Sequence, residues 1–265
     1  MHLDKNRSAT SGKIASRLAK AALGTALLLG VGSMALAQNM VVRSTGPSAG
    51  SYPAGKKMAN DAKVTLKAQD QVTILTKSGT RVLKGPGTYS LAQGGGTASS
   101  ASGRLASFIN NRGSSRARTG AVRSAVSDAV EAPTNPSLWF LDMTKGGKFC
   151  VADPKALVLW RPDYTGSATA SIVEPANGNV TEIAWRKGSA LKAWPKDVLP
   201  VTDGASYRLL GSSVSQSVEV NFVVLESEPA DLADAASVLI ENGCEGQLDL
   251  LVETANANSQ DPDQG

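Results

Sequence analysis

Apolar and polar residues alternate with a period of two over three early stretches: KVTLK (63–67), QVTIL (71–75) and TRVLK (80–84). That period turns every second side chain to one face and predicts half-buried strands. Ala68-Gln69-Asp70 makes a tight connection between the first two and Lys77-Ser78-Gly79 a hairpin turn between the last two. Gly85-Pro86-Gly87 stops the third. With an opening strand at Met40–Arg43, residues 38–92 are expected to form a small antiparallel sheet or barrel.

From Leu138 the strand signals recur at short intervals: LWFLDM (138–143), KFCVAD (148–153), ALVLWR (156–161), ATASIVE (168–174), VTEIAWR (180–186), SYRLLG (206–211) and SVEVNFVVLE (217–226). Turn residues such as Lys145-Gly146-Gly147, Asp153-Pro154, Asn177-Gly178-Asn179 and Asp203-Gly204 separate them. Seven such strands predict an Ig-like β-sandwich over residues 138–228. After Pro229 the period lengthens. Leu232, Ala235, Ala236, Leu239 and Ile240 share one helix face, Asp231 and Asp234 favour its start, and Gly243 stands where a helix ends. Leu248, Leu251 and Val252 form a second short apolar face, so residues 229–255 read as a short helical hairpin packed on the sandwich. Residues 256–265 read as a disordered acidic tail. The expected fold class is mainly β.

The run from Ala54-Gly55-Lys56-Lys57-Met58 through VTLKAQDQVTILTKSGTRVLKGPGTYSL resembles the FecR-type extracytoplasmic domain. The resemblance rests most on the ending Val82-Leu83-Lys84-Gly85-Pro86-Gly87-Thr88-Tyr89 and covers about a fifth of the chain. It implies a non-catalytic β-domain used for protein contacts or envelope sensing. FecR itself also carries a cytoplasmic sigma-regulating segment and a membrane span. No such segments are read in this sequence, so signal transfer across the membrane is not carried over. The remainder resembles secreted proteobacterial proteins of uncertain role.

Composition alters the picture mainly at the N-terminus. Lys5, Arg7, Lys13, Arg17 and Lys20 precede an apolar run from Ala21 to Ala37 that ends Ala35-Leu36-Ala37. This is the pattern of a secretory signal peptide, cut between Ala37 and Gln38. An uncleaved anchor is the competing reading, against which stand the run's length and its dilution by Gly24, Gly30, Gly32 and Ser33. The expected location is the periplasm, with no membrane span after cleavage. Removing residues 1–37 takes five of the 27 bases and one of the 23 acids, so the formal charge of +4 becomes zero. It also takes His2, the one histidine. A Ser-His-Asp triad, a Cys-His pair and a His-ligated zinc are thereby excluded from the mature chain.

The remaining charge is divided. Between Gln71 and Ser127 there is no acid, while Lys77, Arg81, Lys84, Arg104, Arg112, Arg116, Arg118 and Arg123 are all basic. From Leu209 onward eleven acids meet no base. This asymmetry points to self-contact or to a dipolar surface. Residues 93–137, opening on Gln93-Gly94-Gly95-Gly96, read as a basic flexible connector in which Leu105, Phe108 and Ile109 have the spacing of one or two docking helical turns. Two readings of its arginines stand open: solvated linker, or an anion-binding arm of Arg104, Arg112, Arg116, Arg118 and Arg123 for lipopolysaccharide, anionic glycans or acidic proteins. Nucleic acid is disfavoured by compartment and by the lack of interleaved aromatics.

Trp139, Trp160, Trp185 and Trp194 all fall in the sandwich region, where core packing competes with a glycan-stacking platform. Cys150 and Cys244 are expected to form one structural disulfide, the alternative being a redox-active pair without the C-x-x-C spacing. Catalytic look-alikes are weak. Gly46-Pro47-Ser48-Ala49-Gly50 fits G-x-S-x-G without a helix to follow, and Ser189-Ala190-Leu191-Lys192 fits S-x-x-K among strand signals. Asp249 and Glu253 share a helix face, and a carboxylate-dependent hydrolase remains the remote alternative. No metal or cofactor is expected. The leading expectation is a non-enzymatic envelope protein that binds partner proteins, ahead of a carbohydrate- or lipopolysaccharide-binding module.

Overall fold

β1 (Asn39–Thr45) is apolar on both faces because it runs between two cores. Val41 points into one, with Val72, Ile74 and Leu83; Met40 and Val42 point into the other, among the helices. The computed structural model describes residues 39–76, 79–92, 99–112, 134–211 and 217–260, without the side chains of 99–102 and 258–260. The expected leader, Lys77, Ser78, Arg116, Arg118 and Arg123 lie outside the described residues. Within them the chain is mainly β, with fourteen strands in four sheets and three α-helices.

The first sheet runs in the order β2 (Lys57–Met58), β1, β4 (Gln71–Thr76), β5 (Gly79–Lys84). A two-stranded sheet of β3 (Lys63–Leu66) and β6 (Gly87–Ser90) covers one face and closes a small core over Val41, Val64, Leu66 and Ile74. The three alternating stretches are thus strands, paired antiparallel.

The Gly-Pro-Gly stretch forms a corner against the polar break at Asp70. The Asp70 carboxylate is 2% exposed and accepts the Ser48 N–H at 2.8 Å and the Lys67 N–H, while its carbonyl accepts the Gly85 N–H at 2.9 Å. A Cβ on Gly85 would lie 1.8 Å from the Lys67 carbonyl oxygen, so no side chain fits there. The Gly85–Pro86 peptide is cis, and Tyr89 Oη donates to the Lys84 carbonyl. Burial by itself pushes the Asp70 carboxyl up. The hydrogen bonds from Ser48 and Lys67 and the Lys67 charge outweigh it and hold the group below the ordinary carboxylate value.

The second β unit is a sandwich. Its larger sheet has the order β11 (Val180–Trp185), β10 (Ala168–Val173), β13 (Ser206–Gly211), β14 (Val218–Val224), β8 (Gly147–Val151). The smaller has the order β12 (Leu191–Ala193), β9 (Val158–Trp160), β7 (Phe140–Asp142). Ile172, Tyr207, Leu209 and Phe222 from one sheet meet Leu141 and Leu159 from the other in a shared core. β8 joins β14, and β7 joins β9, in parallel; the remaining pairs are antiparallel. All seven expected strands are present, and β12 is an eighth, too short for alternation to mark it.

Three helices fill the space between the β units. α1 (Ser99–Asn110) buries Leu105, Phe108 and Ile109. α2 (Leu232–Asn242) is capped by Asp231, which accepts the Ala233 and Asp234 N–H groups at 2.9 Å, and ends on Gly243 in the left-handed region. α3 is Glu245–Gln260. Met40, Val42 and Leu75 from the first sheet and Trp139 and Cys150 from the sandwich share one core with these helices.

Two expectations about segment boundaries change here. Residues 99–112 of the expected connector are a docked helix and its end, because Leu105, Phe108 and Ile109 lie on one helical stripe that the core accepts. The expected disordered tail begins as helix: α3 continues through residues 256–260, anchored by Leu251 and Ala255, each fully buried.

Candidate functional site

A cleft of about 330 Å³ opens where the edges of the two sandwich sheets face α3. β7 supplies Phe140, Leu141 and Asp142 to one wall, β8 supplies Gly147, Lys148 and Phe149 to another, and α3 brings Gln247, Leu250 and Glu253. Both β7 and β8 are edge strands, so each turns one row of peptide groups away from its own sheet. The register and the Leu225 N–H to Val151 carbonyl bond at 3.0 Å fix which residues those are. Gly147, Phe149 and Val151 bond to β14; Lys148 and Cys150 turn outward.

Side-chain amides take three of the outward groups. Gln247, 4% exposed, accepts the Cys150 N–H at 2.7 Å through Oε1. Its Nε2 donates to the Cys150 carbonyl at 3.0 Å and to the Leu138 carbonyl at 3.1 Å. The glutamine amide therefore makes both bonds that a neighbouring strand would make. On β7, Asn135 Nδ2 donates to the Phe140 carbonyl at 2.8 Å, and the Asp142 carbonyl accepts the Lys145 N–H at 3.2 Å. The Asp142 carboxylate accepts the Thr144 N–H and hydroxyl, fixing the turn into β8. In that turn Gly146 approaches β14 so closely that a Cβ would lie 2.7 Å from the Glu219 carbonyl oxygen. The Lys148 peptide group is left facing the cleft, with Lys145, Asp142 and Glu253 giving a rim of mixed charge. Such a cleft is suited to main-chain recognition of an extended peptide, with apolar contact from Phe149 and Leu250.

The disulfide expected from the sequence is formed. Cys150 and Cys244 are bonded, with Cα atoms 5.9 Å apart and both residues fully buried. It ties the α2–α3 junction to β8, three residues before Gln247 makes its bonds.

The tryptophans occupy the core. Trp139, Trp160, Trp185 and Trp194 are each between 4% and 5% exposed. Trp139 Nε1 donates to the Ile109 carbonyl at 2.6 Å and Trp194 Nε1 to the Leu199 carbonyl at 2.9 Å. Arg161, itself buried, lies over the Trp185 ring and donates to the Ser189, Gly166 and Arg186 carbonyls. A stacking platform needs an open ring face, and none of the four offers one.

Of the expected anion-binding arginines, Arg112 pairs with Glu228 and donates to the Pro229 carbonyl at 3.3 Å, and Arg104 sits exposed on α1. Arg43, which the charge pattern did not single out, pairs with Asp249 of α3. Basic and acidic regions thus touch within the chain, which is the self-contact reading. Of the residues of the expected FecR-like motif, Gly85, Pro86, Gly87 and Tyr89 form the corner at Asp70, Leu83 is buried in the small core, and Val82 is 43% exposed.

The look-alikes hold structural places. The Ser48 N–H serves Asp70, and a one-turn 3-10 segment (Ala49–Ser51) follows it. Ser189 lies before β12 with its hydroxyl on the Leu191 carbonyl. Asp249 is committed to Arg43. Among the described residues no three His, Cys, Asp or Glu side chains cluster as metal ligands, and no helix is long and apolar enough to cross a membrane. Sequence reasoning missed Gln247, Asn135 and Lys148. No local pattern marks them: Gln247 acts on a peptide group 97 residues away, Asn135 on one five residues away, and Lys148 through its own peptide group.

Protein-family models, curated proteins and solved structures were all compared with the chain, and none matches it.

Proposed function

We propose that this is an exported, non-enzymatic binding protein of the cell envelope, acting in sensing, signalling or assembly through contacts with other proteins. The observation that carries the reading is the cleft between β7, β8 and α3, where the outward peptide group of Lys148 continues the edge that Gln247 closes at Cys150. An extended segment of a partner would pair with that peptide group and lay its side chains against Phe149 and Leu250. The buried Cys150–Cys244 disulfide supports an oxidising compartment, as does the leader-like pattern of residues 1–37. The FecR-like corner at Asp70 supports an extracytoplasmic β-domain whose motif residues serve architecture.

A photo-crosslinking residue at Lys145, on the exposed rim of the cleft, tests this in living cells. Envelope proteins should be trapped there and fewer of them at Tyr164, an exposed site on another loop. Equal capture at both positions, or none above background, would overturn the reading.

A further inference from the structure

The five-stranded sheet has a second edge, β11, and it is left open. β11 runs six residues in unbroken register with β10, from Val173 opposite Val180 to Ala168 opposite Trp185. The hairpin bond from the Glu174 N–H to the Asn179 carbonyl, 2.9 Å, sets the alternation. Thr181, Ile183 and Trp185 bond to β10, and the N–H and C=O groups of Val180, Glu182 and Ala184 point away from the sheet. Among the described residues none hydrogen-bonds to those six groups. Val180 is 59% exposed, and Glu182 and Ala184 are exposed too.

Several other edges among the described residues are blunted. Gln247 covers Cys150 on β8, and Asn135 covers Phe140 on β7. On β3 the Tyr52 hydroxyl takes both the N–H and the carbonyl of Thr65. β12 is three residues long and carries Lys192; β2 is two residues long and carries Lys57. β11 has no lysine, proline, bulge or side-chain cap, which are the usual means of keeping an edge unpaired.

We propose that β11 is the contact through which two copies of this chain pair, edge to edge and antiparallel, about a two-fold axis at Ile183. The alternation admits few registers, because outward residues must meet outward residues. An axis at Glu182 would set two carboxylates directly opposite each other, a destabilising arrangement. An axis at Ala184 would set Glu182 opposite Arg186, whose carbonyl Arg161 and the Ser189 N–H already occupy, whereas the axis at Ile183 forms its four central bonds between Glu182 and Ala184 without that carbonyl. The axis at Ile183 places Glu182 opposite Ala184 of the second copy, with Arg186 of the second copy on one diagonal and its Glu182 on the other, so the two carboxylates are no longer directly opposed. Opposite charges then lie within reach on both sides of the axis. The two five-stranded sheets become one continuous ten-stranded sheet. This pairing does not depend on export or on the cleft at β8.

Sedimentation velocity on the purified chain across a concentration series tests it. A concentration-dependent dimer is expected. Ala184→Pro removes an outward N–H and leaves the β10 ladder intact, so it should sediment as monomer with an unchanged circular dichroism spectrum. Val180→Lys, a charge on the open edge, should weaken the dimer at least tenfold and stands in should the proline variant fail to fold. Glu182→Arg should weaken it as well, and adding Arg186→Glu should restore it. A wild-type chain that is monomeric throughout, or a dimer that survives Val180→Lys, would overturn the pairing. Failure of Arg186→Glu to rescue Glu182→Arg would overturn the register.

Discussion

At the β8 end of the five-stranded sheet the outward peptide groups of Cys150 are taken by Gln247 and the strand is stapled to α3, whereas at the β11 end those of Val180, Glu182 and Ala184 are left open. The difference shows how one sheet can be finished in two ways by the same chemistry. A strand edge is a row of donors and acceptors that must be paired, covered or hydrated. At β8 a buried amide does this within the chain, at a place where water is excluded. At β11 no residue of the described chain does it, and the groups are available to a second copy.

The largest expected effect comes from undoing the closed end. Replacing Cys150 and Cys244 together by Ser releases a loop of 94 residues, which by chain entropy should cost about 4–5 kcal/mol in chemical denaturation. Gln247→Leu keeps the helix and most of the volume but strands the buried N–H and C=O of Cys150 and the carbonyl of Leu138. We expect a loss of about 1–3 kcal/mol for each stranded group, read from the urea midpoint, with the disulfide still formed. Tyr52→Phe removes the hydroxyl from the Thr65 peptide on β3, an edge that water can reach, so the loss should be about 0.5–1.5 kcal/mol. Ala184→Pro sits at the small end for stability, within about 0.5 kcal/mol by the same urea assay, because its N–H bonds to nothing inside the chain.

Acid should act on the corner at Asp70. The folded Asp70 carboxyl is held below its ordinary value of about 4, so its contribution is complete above that value and is lost as pH falls through the lower folded one. Asp70→Asn should flatten this acid limb when fluorescence-independent unfolding, such as far-ultraviolet dichroism, is followed against pH. An unchanged limb would show that Asp70 does not govern it.

Much of the architecture is legible in the chain because it is local. Period-two alternation marks the strands from Lys63 to Lys84, and Asp231 and Gly243 bound α2 as capping chemistry requires. The stripe of Leu105, Phe108 and Ile109 points to a docking helix inside a segment whose composition points to a linker, and packing decides in favour of the helix. β12 escapes notice because three residues carry no alternation. The cleft escapes for a different reason: its chemistry resides in peptide groups, and the side chains that cap them come from 97 residues away in the case of Cys150 and Gln247. Polar residues at such distances leave no mark of their partner in the sequence. The tryptophans point both ways from sequence, to core or to platform, and burial of all four assigns them to the core.

Amide hydrogen exchange, read residue by residue at low and high protein concentration, tests the contrast between the two edges most directly. The Cys150 amide should be protected at both concentrations, since Gln247 holds it within one chain. The amides of Glu182 and Ala184 should exchange freely when dilute and become protected when concentrated. Protection of Ala184 that ignores concentration, or its absence at every concentration, would contradict the account, as would a Cys150 amide that exchanges as fast as Ala184 does.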